Sequence, residues 1–250
     1  MADRVYGIDI SKYDLVFNPA QATTRFDFVI QRASYGMVMD QAFTTLLPGV
    51  LDVPIRGAYH YLSSAVPWKD AANRFLDICG ARFQFYACDY EKYYNNVNAA
   101  FRDSCLKWIA YVEQQSQKPV LLYTNLSLYN DWFSPLPMVA KIPLWLAWYG
   151  AFWPVTSPNP ASNPRLPNKR TTWHFWQYWD RGNGKAYGLG RPHAGDLDVF
   201  NGTLEQLRVW AGQSIPVPIP EPPTQPIPAP GWKDSIDAWA RTKGYDGPKP

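Results

Sequence analysis

Two hydrophobic periods take turns along most of this chain. Short apolar runs of strand character lie at residues 5–10, 26–33, 55–62, 83–91, 119–124, 143–149, 172–179 and 196–200. Between the early runs the spacing of apolar positions lengthens to three and four. Residues 67–80 put Ala71, Ala72, Phe75, Ile78 and Cys79 on one stripe, with Pro67 suited to a helix start and Gly80 to its end. Residues 98–115 form the longest such stretch, through Phe101, Cys105, Trp108, Ile109 and Val112. Shorter helices are expected at about 41–51, 126–133 and 203–211. The rhythm fails later: residues 151–170 carry five prolines and residues 181–195 are rich in glycine, so both read as loops. Apolar strands alternating with helices imply a mostly parallel sheet covered on its outside. Eight such strands suggest a barrel with an incomplete helical coat.

The body is expected to span residues 1–213. Residues 214–230 are so rich in proline that they read as a semi-rigid, extended linker. Residues 231–250 hold one candidate helix, near 236–242, with Trp232 and Trp239 as its apolar contacts. Twenty residues cannot build a core, so this tail either docks on the body or begins a longer module.

Composition narrows the function. At 250 residues and 46% hydrophobic the chain can bury one large core. A net charge of +3, with its basic residues scattered, argues against nucleic-acid binding. No apolar run is long enough to span a membrane. Met1 to Arg4 lead straight into the first strand without an apolar leader. The expectation is a chain made in the cytoplasm, which reaches any outside substrate by some other release. Cys79, Cys88 and Cys105 are odd in number and lack metal spacing, so they read as buried thiols. Most of the 12 tryptophans are assigned to an aromatic core.

The candidate chemistry is acidic. Asp89 and Glu91 close the fourth run with one residue between them. Strand alternation points both side chains the same way, about 6.5–7 Å apart along the backbone, and turns Cys88 to the opposite face. In a parallel barrel the working face lies at the carboxyl ends of the strands. Asp9, Asp196 and Asp198 fall at or near such positions on the first and last strands, which are neighbours in a closed barrel. His60 between Tyr59 and Tyr61, Tyr123, Asn125, Trp145, Trp148 and Gln177 approach the same rim. Crowded carboxylates disfavour further ionisation, so at least one should keep its proton near neutral pH and be able to protonate a leaving oxygen. Glu91, with its longer reach, is assigned that part. Phe152, Trp153 and Tyr187, on the two late loops, are candidate sugar platforms.

Seven motifs now follow in order: Gly7-Ile8-Asp9-Ile10-Ser11, Gly57-Ala58-Tyr59-His60-Tyr61, Cys88-Asp89-Tyr90-Glu91, Leu122-Tyr123-Thr124-Asn125, Leu144-Trp145-Leu146-Ala147-Trp148-Tyr149, Trp176-Gln177-Tyr178 and Asp196-Leu197-Asp198-Val199-Phe200-Asn201-Gly202. In that order and spacing the chain resembles glycoside hydrolase family 25, the Chalaropsis-type lysozymes, many of them encoded by bacteriophages. The resemblance covers about residues 5–212. It implies an α/β, TIM-like irregular barrel of eight strands and about five helices, (βα)5(β)3. It implies cleavage of the β-1,4 bond between N-acetylmuramic acid and N-acetylglucosamine in bacterial peptidoglycan, with retention. Separately, no metal or cofactor is expected, and a monomer is the expected state. Glu91 would be the general acid/base. Asp89 would be the nucleophile, or the group that stabilises attack by the substrate's own acetamido group. Asp9 and Asp196 would hold the pair's geometry and ionisation. A phage endolysin would then reach the wall through a holin, and a secreted autolysin by another export route. A module begun by residues 231–250, if the tail does not dock on the body, would be wall-binding.

There are departures. Tyr13-Asp14 stand where many members have Trp-Gln, Tyr35 where many have Glu, and Asp198 where the last motif usually has Asn. The alternatives are a wall-binding protein without catalysis and a chitinase-like retaining glycosidase. Against the second, Phe85 and Ala87 occupy the places of the earlier acids of a DxxDxDxE run. No GxSxG elbow or phosphate loop is present, and His60, His174 and His193 lack zinc-peptidase spacing.

Overall fold

The computed structural model describes residues 4–14, 16–150, 159–190 and 195–213. The expected linker and tail, Phe152 and Trp153 lie outside the described residues. In chain order the elements are β1 (Val5–Ile10), α1 (Pro19–Ala22), β2 (Phe28–Tyr35), β3 (Val38–Met39), α2 (Phe43–Leu51), β4 (Ile55–Tyr61), α3 (Trp68–Cys79), β5 (Phe85–Asp89), α4 (Ala99–Ser116), β6 (Val120–Asn125), α5 (Leu126–Leu128), β7 (Leu144–Ala147), β8 (Phe175–Gly182), β9 (Gly195–Phe200) and α6 (Leu204–Trp210). Eight of these strands close a barrel in the order β1-β9-β8-β7-β6-β5-β4-β2, and β2 pairs back onto β1.

Period two divides the strands between two cores. Phe28 and Ile30, Ile55 and Tyr59, Phe85 and Ala87, Leu121 and Tyr123, and Trp145 and Ala147 point inward with Val5, Phe175 and Phe200. The residues between them, such as Val29, Ala58, Tyr86, Cys88, Leu122 and Leu146, point outward under the helices. The barrel's lower half is filled with rings: Phe85 stacks on Phe175 at 5.3 Å, and Phe28 meets Phe175 edge-on at 5.2 Å. Two glycines admit them. A β-carbon on Gly7 would sit 2.1 Å from the Phe28 ring, and one on Gly57 would sit 2.3 Å from Phe85.

Local signals explain the long helices. The stripe of α3 is buried residue for residue, and Gly80 takes the positive φ that ends it. Asn98 caps α4, its side chain accepting from the Phe101 amide at 2.9 Å.

Two corrections concern the strands. β9 runs antiparallel to both β8 and β1. Asp196 therefore stands at the amino end of its strand and still reaches the same rim as Asp9. A parallel return needs a crossover of about a dozen residues or more, usually through a helix. Residues 183–194 contain only a single helical turn, Gly184–Tyr187, among the described residues, so the chain doubles back. The second correction is β3, a two-residue strand not expected from the pattern. It folds back on the end of β2 through Gly36, whose φ is +52°.

Candidate active site

The carboxyl ends of the parallel strands surround a cavity of about 530 Å³. Strand pairing of β5 stops at Asp89, one turn of the pleat before Glu91. The backbone keeps its phase, because the Tyr90 amide donates to the Tyr123 carbonyl at 2.9 Å and the Tyr90 carbonyl accepts from Thr124 Oγ1 at 2.9 Å. Asp89 and Glu91 thus line one wall together, with Asp9 and Asp196 across from them. Those two come from paired positions of β1 and β9.

Each carboxyl is raised above its ordinary value, and burial is the main cause every time. Asp9, 4% exposed, is pushed up to about 6. Gln177 Nε2, which donates to its Oδ2 at 2.6 Å, opposes the rise, as does a hydrogen bond with Asp198. Asp89 is driven well up, by burial and then by the charge of Glu91, while Arg32 draws it back. Its Oδ1 is buried and has no hydrogen-bond partner. Glu91 is raised by burial and steadied by hydrogen bonds with Tyr61 and Tyr123 and by Arg32. Asp196 rises through burial, then Asp9 and Asp14. Asp198 lies deepest, fully buried, accepting from Trp145 Nε1 at 2.7 Å. Burial and then Asp9 hold it well above the usual carboxylate range. Groups this tightly coupled bind and release protons as a set, so the retained protons belong to the cluster rather than to Glu91 alone.

Among the expected site residues, Tyr59, Tyr61, Tyr123, Trp145 and Gln177 line the cavity. Tyr123 packs edge-on against Trp145 at 4.5 Å, and its hydroxyl donates to Gln177 Oε1 at 2.8 Å. Others are not brought there. His60 takes the outward phase between Tyr59 and Tyr61. It stacks on Trp108 at 5.1 Å and places Nδ1 2.8 Å from Ser34 Oγ. Burial pushes it down to about 3, so it is a neutral core side chain. Trp148 is likewise on the outer phase, tilted against Trp176 at 5.8 Å. Asn125 caps α5, accepting from the Leu128 amide at 2.9 Å. Asp198 sits beneath Asp9 rather than on the cavity wall. Tyr187 packs edge-on against Phe26 at 5.1 Å, outside the cavity lining. His60 and Trp148 follow directly from alternation: if residues 59, 61, 145 and 147 face in, residues 60 and 148 face out.

The sequence reading missed Arg32. It continues the inward series of Phe28 and Ile30 on β2, just before a bulge between Arg32 and Ser34. Its Nε donates to Asp40 Oδ2 at 2.5 Å, and Asp40 also accepts from the amides of Lys12 and Ala42. Burial alone would depress the guanidinium, but Tyr59, Asp40 and Asp89 hold it charged. Tyr149 was missed as well; its hydroxyl donates to Gln177 Oε1 from just beyond β7. Among the described residues no cluster of His, Cys, Asp and Glu has metal-binding geometry, and no helix is long and apolar enough to cross a membrane.

Carboxyls from several strand ends, gathered over one cavity in a barrel floored with aromatic rings, define the class of barrel glycoside hydrolases. Within that class the chain belongs to glycosyl hydrolases family 25, whose profile matches residues 8–186. It is 28% identical over 158 residues to the uncharacterized protein YegX of Escherichia coli (strain K12), across 62% of this chain and 52% of that protein. The chain thus spans about half the length of the curated relatives it matches. Its fold is that of a bacterial lysozyme from Streptomyces coelicolor, with a TM-score of 0.70 and 23% identity over 84% of this chain and 97% of the other. It is also similar to the catalytic domain of endolysin ply40 from bacteriophage P40 of Listeria monocytogenes. There the TM-score is 0.65 at 21% identity, over 84% of this chain and 98% of that one.

Proposed function

We propose that this chain is a peptidoglycan hydrolase, an N-acetylmuramidase that cleaves the β-1,4 bond between N-acetylmuramic acid and N-acetylglucosamine with retention. The observation that carries the reading is the Asp89–Glu91 pair, side by side on an open cavity wall and facing Arg32. Glu91 gives its proton to the glycosidic oxygen as the bond to the anomeric carbon breaks. Asp89, as the anion, either attacks that carbon or holds the substrate's acetamido group while its oxygen attacks. Glu91, now a carboxylate, then takes a proton from water, and the second displacement restores the original configuration. Asp9, Asp196 and Gln177 line the sugar subsite, and the two carboxyls share the cluster's protons.

A phage endolysin role is supported by the likeness to the P40 enzyme. In that role the protein works as a monomer on the wall after release through a holin, residues 214–230 act as a linker, and residues 231–250 begin a wall-binding module. The test is Glu91→Gln on purified walls. The wild type should release reducing ends, and mass spectrometry should find N-acetylmuramic acid at them; the variant should fold and release none. Wall binding without any release by the wild type would leave only a binding protein. Turnover of chitin in preference to peptidoglycan would point to a chitinase-like enzyme.

A further inference from the structure

The segment between β5 and α4 carries two tyrosines that face water: Tyr93 is 67% exposed and Tyr94 is 79% exposed. Their rings meet edge to face at 4.4 Å. Apolar rings on a protein surface most often project singly; here two adjacent rings share one lip of the cavity that holds Glu91.

The segment beneath them is firmly tied. Asn95 Nδ2 donates to the carbonyls of Leu62 at 3.0 Å and Glu91 at 3.1 Å, and its Oδ1 accepts from the Ser64 amide at 2.8 Å. The Asn96 amide donates to Ser64 Oγ at 3.0 Å, and the Tyr61 hydroxyl donates to the Tyr93 carbonyl at 2.6 Å. Tyr94 itself has a φ of 61°, in the left-handed region that residues with a β-carbon disfavour. Strain of this kind persists where the surroundings over-determine it, and it concentrates at ligand clamps.

Tyr13, 54% exposed, and Tyr35, 39% exposed, line the same mouth, and Tyr35 meets Tyr61 edge-on at 5.2 Å. Each ring offers an apolar face and a hydroxyl edge. A pyranose offers the complementary pair, a face of C–H bonds and a rim of hydroxyls. Tyrosine also loses little side-chain entropy on binding.

We infer that Tyr93 and Tyr94, with Tyr13 and Tyr35 at the same mouth, form a platform for sugars of the glycan strand beyond the two that flank the scissile bond. The inference rests on the muramidase reading and adds a preference for long strands. The experiment compares the full chain with Tyr93→Ala/Tyr94→Ala and with Tyr93→Phe/Tyr94→Phe. The substrates are the stem-free disaccharide that spans only the scissile bond, long stem-free strands and stem-bearing strands.

The alanine pair should lose roughly tenfold in kcat/KM on long stem-free strands, through KM, the factor two stacked rings supply. Its loss on the disaccharide should be much smaller, and the phenylalanine pair should recover most of the loss. Equal loss on both lengths, no loss on either, or loss only where peptide stems are present would overturn the platform. If the wild type releases no reducing ends from any of the substrates, the muramidase reading itself has failed.

Discussion

Replacing Asp9 with Asn should stabilise this protein at neutral pH while damaging its activity. Asp9 is buried, and its carboxyl is pushed from an ordinary 3.8 up to about 6. A raised folded-state value means that the native protein binds a proton more tightly than the unfolded chain does. Stability is then greatest below pH 3.8, declines as pH rises toward 6, and stays at the lower level above it. A difference of roughly two units corresponds to about 3 kcal/mol lost at neutral pH. Asn carries no charge to desolvate. Its carbonyl can accept from Gln177 Nε2, as Asp9 does at 2.6 Å, and its amide can donate to Asp198. It also removes a charge that raises Asp89, Asp196 and Asp198.

The expected gain is therefore about 3 kcal/mol at pH 7.5 and near zero at pH 4. For a body of this size that is an increase in Tm of roughly 6–12 °C at the higher pH. Thermal melts of both proteins at the two pH values, with reducing-end release at pH 6, provide the check. A variant equally or less stable than wild type at pH 7.5, or a difference independent of pH, would refute the idea that Asp9 is held at a cost to folding.

Two more predictions concern neighbours of the carboxyl pair. Arg32→Met removes the charge that draws down Asp9, Asp89 and Glu91. The acid limb of kcat/KM should move to higher pH, and activity at neutral pH should fall roughly 10–100-fold; an unchanged pH profile would show that Arg32 serves only to anchor Asp40. Asp198→Asn keeps an acceptor for Trp145 Nε1 and a donor toward Asp9 while removing a carboxyl. It should keep kcat within roughly threefold and leave the acid limb where it is, because a protonated Asp198 carries no charge to remove, whereas Asp198→Ala, which keeps neither hydrogen bond, should lose far more; equal losses in the two variants would make Asp198 simply a packing residue.

The barrel was legible because its strands and long helices carry their periods in the residues themselves. The stripe of Ala71, Ala72, Phe75, Ile78 and Cys79 is the buried face of α3 because nothing in the tertiary structure competes with it. The direction of β9 was not legible, since a strand's side-chain pattern reads the same both ways and only the short connection before it decides. Site residues divided along a similar line. Asp89 and Glu91 stood out by spacing. His60 and Trp148 were drawn in by motif proximity although alternation places them outside. Arg32 was passed over because a lone arginine in a strand reads as a surface residue, and the partner that fixes it, Asp40, lies beyond the β2–β3 turn.

The reversal of β9 also converts sequence spacing into depth. In its antiparallel register Asp196 pairs with Asp9 near the rim, and Asp198 pairs with Gly7 one step further in. Across β8 the same Asp198 pairs with Gln177, and the Trp145 indole donates to it from the inner wall. Below that layer the described side chains are apolar, among them Val5, Phe28, Ile55, Phe85, Phe175 and Phe200. A carboxyl bordering such a floor keeps its proton, because no water reaches it to solvate the anion. Once protonated, Asp198 can donate to Asp9, and Gln177 donates to Asp9 as well. Two neutral donors then face one shallower carboxylate, which lets Asp9 hold a charge in a cavity already crowded with acids. Two acids separated by a single residue thus differ by depth alone: Asp198 is placed to retain a proton, and Asp196 lines the cavity.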